Sequence, residues 1–291
     1  STVVISMYEN VTSGGFYGGT TSEQQAGGAT GIIMTSDGYI ITNSHVIEGC
    51  GAVDVVLQDE RVFQALLVGQ DAQSDLAVLK IDASGLTPAQ FGDDTLLRSG
   101  DPVSAIGNPM GYRSTITPGI VSALDQPVSV EGTTMVLIQT SAAINFGNSG
   151  GALINQYGQV VGVTTIKIVA DDGSAEGLGF AIPTTRVKQV VDRLIAGAPV
   201  TRPSLGIIVR RGQGENGGLV VEEVDPDSDC HRQGIQPQDI IVAANGQQVQ
   251  TFADLERIKR TLDVGDSLLL EVLRGGEHLE FTVTLMDQDD F

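Results

Sequence analysis

Short apolar runs separated by turn-forming residues fill the first 182 positions of the sequence. Most of these runs are rich in β-branched residues, and turns such as Ser36-Asp37-Gly38 stand between them. The clearest runs cover residues 31–34, 39–42, 53–57, 76–81, 103–106, 136–139 and 160–163. Many short strands at close spacing predict an all-β barrel or sandwich. Residues 11–29 are instead rich in Gly, Ser, Thr and Gln, and this composition predicts a surface loop.

The hydrophobic period changes after Pro183. Between Thr184 and Ile195 the apolar residues recur at helical spacing, which predicts an amphipathic helix. The residues on this apolar face are Val187, Val190, Val191, Leu194 and Ile195. The segment GAPVTRP at 197–203 then interrupts the helix, and we interpret it as the region of an interdomain linker.

A second β-rich unit follows the linker. Strands are predicted near 205–209, 218–224, 240–243, 267–274 and 279–285. One helix is predicted over 252–261, with Thr251 as its N-cap. The sequence therefore predicts a first domain over 1–198, a linker over 199–203 and a second domain over 204–291.

Composition excludes several classes of protein. The length of 291 residues suits about two domains, and 41% hydrophobic residues suit packed cores. A net charge of −20 would repel nucleic acid. Two Cys are too few for a disulfide framework, and three scattered His show no metal-site spacing, so we expect no metal or cofactor.

The N-terminal residues show no targeting signal. No apolar run approaches the roughly 18 residues of a membrane span, and no charged-then-apolar segment opens the sequence. The sequence begins abruptly with residues that already predict a strand. Such a start is compatible with an N-terminal signal or anchor that precedes Ser1 in a longer protein.

The strongest chemical signal is FGNSGG at 146–151. A nucleophilic serine needs a sharp backbone that projects its hydroxyl and backbone N–H groups that face a developing oxyanion. Glycines on both sides of Ser149 permit that turn. Ser149 is then the candidate nucleophile, and the N–H groups of Gly147 and Ser149 form the candidate oxyanion hole. A glycine-rich hairpin turn is the structural alternative.

Two further candidates lie at the ends of predicted strands. His45 follows an apolar run, and Asp75 directly precedes another. Alone, each has an ordinary structural interpretation, as a surface histidine or a turn residue. The order His, Asp, Ser is that of chymotrypsin, and the βαβ alternation of α/β-hydrolases is absent. Together they predict His45 as general base, Asp75 as its partner and Ser149 as nucleophile.

Several segments resemble HtrA/Deg serine proteases over nearly the whole sequence. They are TNSHVIEG at 42–49, SDLAVLKID at 74–82, IQTSAAINFGNSGG at 138–151 and GLGFAIP at 177–183. The resemblance implies a mainly β fold, with a chymotrypsin-like double β-barrel of two six-stranded barrels and the active site between them. Two residues depart from the family pattern, since Ser141 stands where Asp is usual and Phe146 where Pro or Arg is frequent. Phe146 precedes the oxyanion-hole glycine and bears on how that peptide orients.

The resemblance also places Ile144 and Ile168 along the specificity pocket. No acidic residue lies in the segment 140–148, so a Lys or Arg side chain of a substrate would lose its hydration without a partner. We therefore expect cleavage after small aliphatic residues. Lys167 gives the alternative: if its ammonium group turned into the pocket, cleavage after acidic substrate residues would be favoured instead.

Residues 204–291 resemble a PDZ domain, a β-rich module with one or two helices. The segments that carry this resemblance are SLGI at 204–207, GIQPQDII at 234–241 and NGQQV at 245–249. The resemblance implies that a peptide adds a strand at the sheet edge while backbone N–H groups hold its C-terminal carboxylate. The implied peptide-binding residues are Ser204, Leu205, Gly206, Ile207, Leu255 and Ile258.

Two functions remain open from the sequence. The first is a serine endopeptidase that cleaves unfolded or damaged proteins and is regulated by C-terminal peptides at the PDZ domain. The second is a catalytically silent PDZ scaffold or holdase chaperone. The resemblance further implies a bacterial, extracytoplasmic protein, in the periplasm or at the outer face of the cell membrane, and a homotrimer.

Overall fold

The computed structural model describes residues 1–13, 20–108, 115–130, 133–145, 147–165, 178–212 and 217–291. Within these residues the chain divides into two units, Ser1–Val200 and Thr201–Phe291. Both units are built mainly from antiparallel strands.

The first sheet of the N-terminal unit contains seven antiparallel strands. They are β1 (Thr2–Ser13), β2 (Thr20–Ile33), β3 (Tyr39–Thr42), β4 (Ala52–Val56), β5 (Val62–Gln64), β6 (Leu66–Asp71) and β7 (Leu76–Lys80). Their order in the sheet is β5-β4-β1-β2-β3-β7-β6. Only Ala65 separates β5 from β6, so one bent segment pairs with β4 at one end and with β7 at the other. The sheet is thus a barrel of six chain segments, with the last one bent at Ala65.

The long hairpin β1–β2 corrects one sequence prediction. Residues 11–13 and 20–29 were expected in a loop, but they lie in paired strands whose register runs from Thr2↔Ile32 to Ser13↔Thr20. Glycine and small polar residues have a low strand propensity, yet backbone hydrogen bonds of the hairpin do not depend on side-chain type. Residues 14–19 of the same prediction lie outside the described residues.

The second sheet closes on itself as a six-stranded barrel. Its strands are β8 (Pro102–Gly107), β9 (Thr115–Val130), β10 (Thr133–Thr140), β11 (Ala152–Asn155), β12 (Val160–Thr165) and β13 (Gly179–Pro183). The order is β10-β13-β12-β11-β8-β9, and pairing of β9 with β10 closes it. Alternate residues such as Val103 and Ala105 point inward and are buried. The predicted chymotrypsin-like double barrel is confirmed.

The helix that follows the second barrel joins the two barrel cores. Helix α2 (Thr184–Ala196) begins after Pro183 and ends at Gly197, whose left-handed φ of 65° lets its N–H reach the carbonyl of Arg193. The apolar face predicted from the sequence is buried except for the half-buried Ile195, in a cluster with residues of β7 and β12. This cluster stabilises the position of one barrel against the other.

The C-terminal unit is a sheet with two helices. Its strands are β14 (Pro203–Ser204), β15 (Ile207–Arg211), β16 (Leu219–Val224), β17 (Ile240–Ala244), β18 (Gln247–Gln248), β19 (Ser267–Arg274), β20 (Glu277–Thr284) and β21 (Met286–Asp287). The main sheet has the order β15-β16-β17-β19-β20, and β18 pairs with β17. Strand β15 therefore has one unpaired edge within this sheet.

The two helices of this unit begin at well-formed N-caps. Helix α3 (Asp229–Gln233) follows Ser228, whose side chain accepts the N–H of His231. Helix α4 (Phe252–Lys259) follows Thr251, which forms a capping box with Asp254. The predicted helix and its cap are confirmed. Shorter helices are also present in the described residues: α1 (Ser44–Ile47) and the 3₁₀ turn Asp94–Leu96 in the N-terminal unit, and the 3₁₀ turn Gln288–Asp290 in the C-terminal unit.

Candidate active site

His45 and Asp75 come from neighbouring strands of the first barrel. Strand β3 ends at Thr42, and the short helix α1 then carries His45. Strand β7 begins directly after Asp75, and Thr42 faces Ala77 in the β3–β7 ladder. Because the strands are antiparallel, the end of one meets the start of the other, and both side chains emerge at the same edge.

The Asp75 carboxylate holds His45 through three contacts. His45 Nδ1 lies 2.8 Å from Oδ1 and 2.9 Å from Oδ2, and the His45 backbone N–H donates to Oδ1 at 3.1 Å. Asp75 is fully buried, whereas the His45 side chain is 26% exposed. With Nδ1–H donated to a carboxylate, the neutral ring carries its lone pair on Nε2. This is the tautomer that a general base requires.

A threonine from the second barrel completes the coordination of Asp75. Thr165, the last residue of β12, donates its hydroxyl to Oδ2 at 2.8 Å. Each carboxylate oxygen thus accepts hydrogen bonds away from water, which keeps the ionised form satisfied in a buried place. This hydrogen bond also links the first barrel to the second barrel beside His45.

The backbone of Asp75 has an uncommon conformation that its neighbours impose. Its φ is +53°, in the left-handed region that few residues other than glycine adopt. The carbonyl of Asp75 accepts Asn43 Nδ2 at 3.0 Å, and its N–H donates to the Ala72 carbonyl at 3.2 Å. Arg186 from α2 donates Nη2 to Ser74 Oγ at 2.8 Å. Several contacts therefore determine the direction in which the carboxylate points.

The loop around Ser149 is packed against the first barrel. Thr30 in β2 donates its hydroxyl to the Gly147 carbonyl at 2.6 Å and its N–H to the Ser149 carbonyl at 3.0 Å. Gly150 has a φ of +75°, and a Cβ on it would overlap the Thr30 carbonyl and the Thr42 hydroxyl. Only glycine fits this position, as the sequence pattern predicted.

Two amides of the loop remain available for a ligand. The N–H groups of Asn148, Gly150 and Gly151 all donate within the protein. In the described part of the chain, the N–H groups of Gly147 and Ser149 make no hydrogen bond. These are the two amides that the sequence assigned to an oxyanion hole. Phe146, the residue before them, lies outside the described residues.

The segments that carry the three candidate catalytic residues are joined by hydrogen bonds. Ser149 is anchored to Thr30, Thr30 is bonded to Thr42, and Thr42 lies three residues before His45. Among the described residues, no hydrogen bond joins Ser149 Oγ to His45. A long serine–histidine contact is common in ligand-free hydrolytic sites and shortens in the substrate complex.

Half of the expected specificity pocket lies in the described chain. Ile144 is half-buried, and a Cβ on Gly179 would lie 2.6 Å from its Cγ1, so its side chain covers the glycine at the start of β13. Ser141 Oγ, at the position of the family's usual Asp, accepts the Ile120 N–H at 3.1 Å. Ile168 and Lys167 lie outside the described residues.

Sequence reasoning missed the polar residues that hold the catalytic groups. Thr30, Asn43, Thr165 and Arg186 received no role, yet each contacts the segment of Asp75 or of Ser149. Three of the four are buried. A polar residue at the buried end of an apolar strand, such as Thr165, is the signal that could have found them.

The predicted peptide-binding residues gather at the open edge of the C-terminal sheet. Leu205, Leu255 and Ile258 are buried in one cluster, and Ile207 packs against it from β15. Gly206 has a φ of +63°, and its N–H donates to Ser204 Oγ at 3.2 Å. Helix α4 and strand β15 thus share an apolar cluster beside an unpaired strand edge.

Neither a metal site nor a membrane span is found in the described ranges. No group of three or more His, Cys, Asp or Glu side chains among those residues could hold a metal ion. Likewise, no helix in the part of the chain that the structure describes is long and apolar enough to cross a membrane.

Comparisons with known proteins agree with this architecture. A model of the trypsin-like peptidase domain matches residues 29–163, and a PDZ domain model matches residues 203–285. The serine protease Do-like HtrA of Lactobacillus helveticus is 39% identical over 285 residues, which cover 90% of this chain and 69% of the relative. The serine protease Do-like HtrB of Bacillus subtilis (strain 168) is 39% identical over 90% of this chain and 62% of its own length. The periplasmic serine endoprotease DegP of Escherichia coli (strain K12) is 38% identical over 94% of this chain and 59% of its own length.

Solved structures show the same fold. The HtrA-type protease AlgW with decapeptide is 32% identical, with a TM-score of 0.74, and the match covers 99% of this chain and 95% of AlgW. The chain spans 62% of the Bacillus subtilis relative and about half, 53%, of a DegP-like relative from Chlamydia trachomatis serovar D. A trypsin-like double barrel, a PDZ unit and these relatives lead to one assignment: the chain belongs to the HtrA family of serine proteases.

Proposed function

We propose that the protein is a serine endopeptidase in which Ser149 is the nucleophile, His45 the general base and Asp75 its partner. The observation that carries the proposal is the buried Asp75 carboxylate bound to His45 Nδ1 at 2.8 Å, beside a serine loop with two available amides. Names of the relatives, which are serine proteases and endoproteases, support the same activity.

The mechanism follows from the positions of these groups. His45 Nε2 takes the proton of Ser149 Oγ as the oxygen attacks a peptide carbonyl. Asp75 stabilises the imidazolium that forms, and the N–H groups of Gly147 and Ser149 bind the oxyanion. His45 then gives its proton to the leaving amine, and water hydrolyses the acyl-enzyme by the reverse sequence.

Labelling with a serine-reactive fluorophosphonate tests this proposal. The probe forms a covalent bond only with an activated serine, so we expect it to label the unmodified chain and not the Ser149→Ala variant. Ser99→Ala, which removes an exposed serine of the same unit, is the matched control and retains labelling. A folded but unlabelled wild-type chain would refute the proposal and favour the alternative, a silent scaffold or holdase.

We propose in addition that the C-terminal unit binds peptides by their C-terminal carboxylate. A peptide would pair with the open edge of β15 and place its last side chain among Leu205, Leu255 and Ile258. The match to AlgW solved with a decapeptide and with a tripeptide supports peptide binding. Calorimetry with a peptide ending in Val, as free acid and as amide, tests it: the amide binds more weakly if the carboxylate is recognised.

The finer organisation is also proposed. We infer a protease domain over 1–198, a linker over 199–203 and a PDZ domain over 204–291, which limited proteolysis at the linker would test.

We propose that the substrates are unfolded proteins. We also propose an extracytoplasmic location, which the periplasmic names of several relatives support. The proposed homotrimer predicts a sedimentation mass of three chains, and a monomeric mass would exclude it.

A further inference from the structure

The residues that follow the last strand of the C-terminal sheet fold back onto the proposed carboxylate-binding loop. Strand β21 pairs antiparallel with β14, the strand that leads into this loop. Beside this pair, the Gln288 N–H donates to the Arg202 carbonyl at 2.9 Å, and the Arg202 N–H donates to the Asp287 carboxylate at 3.1 Å. The segment 286–291 is therefore attached along the start of the loop.

Gly206, in the middle of that loop, lies beside two side chains. A Cβ built on Gly206 would lie 2.5 Å from Ser228 Cβ and 2.7 Å from Cε1 of the Phe291 ring. Ser228 is fully buried and fixed, because its hydroxyl donates to the Asp225 carbonyl and accepts the His231 N–H. Both side chains thus lie on the side of Gly206 where a Cβ would stand, and they leave no room for one.

The backbone of Gly206 is held at both of its polar groups as well. Its N–H donates to Ser204 Oγ at 3.2 Å, and its carbonyl accepts the Asp225 N–H at 2.8 Å. Its φ of +63° is accessible to glycine without strain, but glycine also has more alternative conformations than any other residue. Contact with the ring restricts that freedom from the side that a Cβ would otherwise fill.

We propose that Phe291 is a positioning residue for the carboxylate-binding loop. Carboxylate binding needs the loop amides to converge on one point, and a loop that already has this geometry loses less conformational entropy on binding. Phe291 is 40% exposed and lies outside the buried core cluster, so the ring contributes to the loop far more than to the core. This inference rests on the proposed peptide-binding function of the C-terminal unit.

The test measures the part of the affinity that depends on the carboxylate. The full chain with Ser149→Ala, which prevents cleavage, is titrated calorimetrically with a peptide ending in Val as free acid and as amide. We expect Phe291→Ala to weaken free-acid binding about fivefold, the size expected for one lost ordering contact, and to leave amide binding unchanged. Phe291→Leu retains most of the affinity, and Asp290→Ala, at an exposed neighbouring position, retains all of it.

Each other outcome contradicts the inference in a different way. An unchanged ratio of free-acid to amide affinity in Phe291→Ala shows that the ring does not act on the loop. Tighter free-acid binding shows that the ring obstructs the site, and an equal loss for both peptides with a lower melting temperature shows a structural role only. If the unsubstituted loop does not distinguish the two peptides, the proposed carboxylate recognition itself is wrong and this inference fails with it.

Discussion

The replacement Asp75→Asn gives a sharp test of the proposed catalytic arrangement, because it changes charge and hydrogen-bonding capacity without changing size. In the structure both oxygens of Asp75 accept hydrogen bonds, Oδ1 from the N–H of His45 and Oδ2 from the hydroxyl of Thr165, and both lie within 2.9 Å of His45 Nδ1. An asparagine offers only one acceptor oxygen. If its amide nitrogen faces His45, two donors meet, and the ring turns to the wrong tautomer. If the nitrogen faces Thr165, His45 keeps its partner but loses the charge that stabilises its imidazolium.

Both orientations remove the carboxylate charge that stabilises the imidazolium in the transition state. The equivalent replacement in a Ser-His-Asp triad lowers kcat by about 10⁴, and we expect a loss of that size here. At about 1.4 kcal/mol per factor of ten, the barrier rises by roughly 5 kcal/mol. A change of this size exceeds what a shifted loop or a weakened surface contact produces.

The assay is release of fluorescence from labelled casein, with folding monitored by circular dichroism. Asp59→Asn is the control, because it removes an exposed aspartate that pairs with Arg61 in the same barrel. We expect it to keep wild-type activity. If folded Asp75→Asn retains more than about a tenth of the wild-type kcat, the geometry of Asp75 and His45 does not act as described.

Further outcomes test other parts of the structure. Ser149→Ala and His45→Ala should each abolish cleavage of labelled casein, and the double variant should lose little more, because these residues act as a unit; near-wild-type turnover in either one contradicts the assignment. Gly150→Ala should lose activity and melt at a lower temperature in a thermal scan, because its φ of +75° and the contacts of a Cβ with Thr30 forbid a side chain. Burial raises the pKa of the Cys230 thiol to about 12, so in the native protein at mildly alkaline pH N-ethylmaleimide should modify half-exposed Cys50 and spare Cys230, as peptide mass spectrometry can check. Mapping of cut sites in an unfolded protein by mass spectrometry should show cleavage after Val, Ala or Ile, whereas a majority of cuts after Lys, Arg or Glu contradicts the proposed apolar pocket.

Local chemistry made several features predictable from the sequence. Helix α2 follows from the spacing of its apolar residues, and helix α4 from the capping pattern that begins at Thr251. Short β-branched runs indicated an all-β barrel or sandwich, and the glycines around Ser149 indicated a turn that no Cβ could enter. In each case the physical cause acts over a few neighbouring residues, so the pattern can be recognised in the sequence.

Contacts between distant segments escaped that reasoning. The hairpin β1–β2 was predicted as a loop over 11–29, since its polar strands are stabilised by pairing rather than by propensity. The roles of Thr165 and Arg186 depend on residues about 90 and 112 positions away. A polar residue at the end of an apolar strand marks Thr165 as unusual, but no local pattern identifies the distant carboxylate that it contacts.

The sequence by itself determined which residue types could perform the chemistry, because histidine, aspartate, serine and flanking glycines have properties that do not depend on the fold. It also determined the period of most apolar elements and therefore the class of fold. Only the tertiary structure decided how Asp75 is oriented, which amides near Ser149 remain available, and that Phe291 lies against Gly206. These features depend on distances between segments far apart in the chain that must be correct to within a few tenths of an ångström, and such distances result from packing of the whole unit.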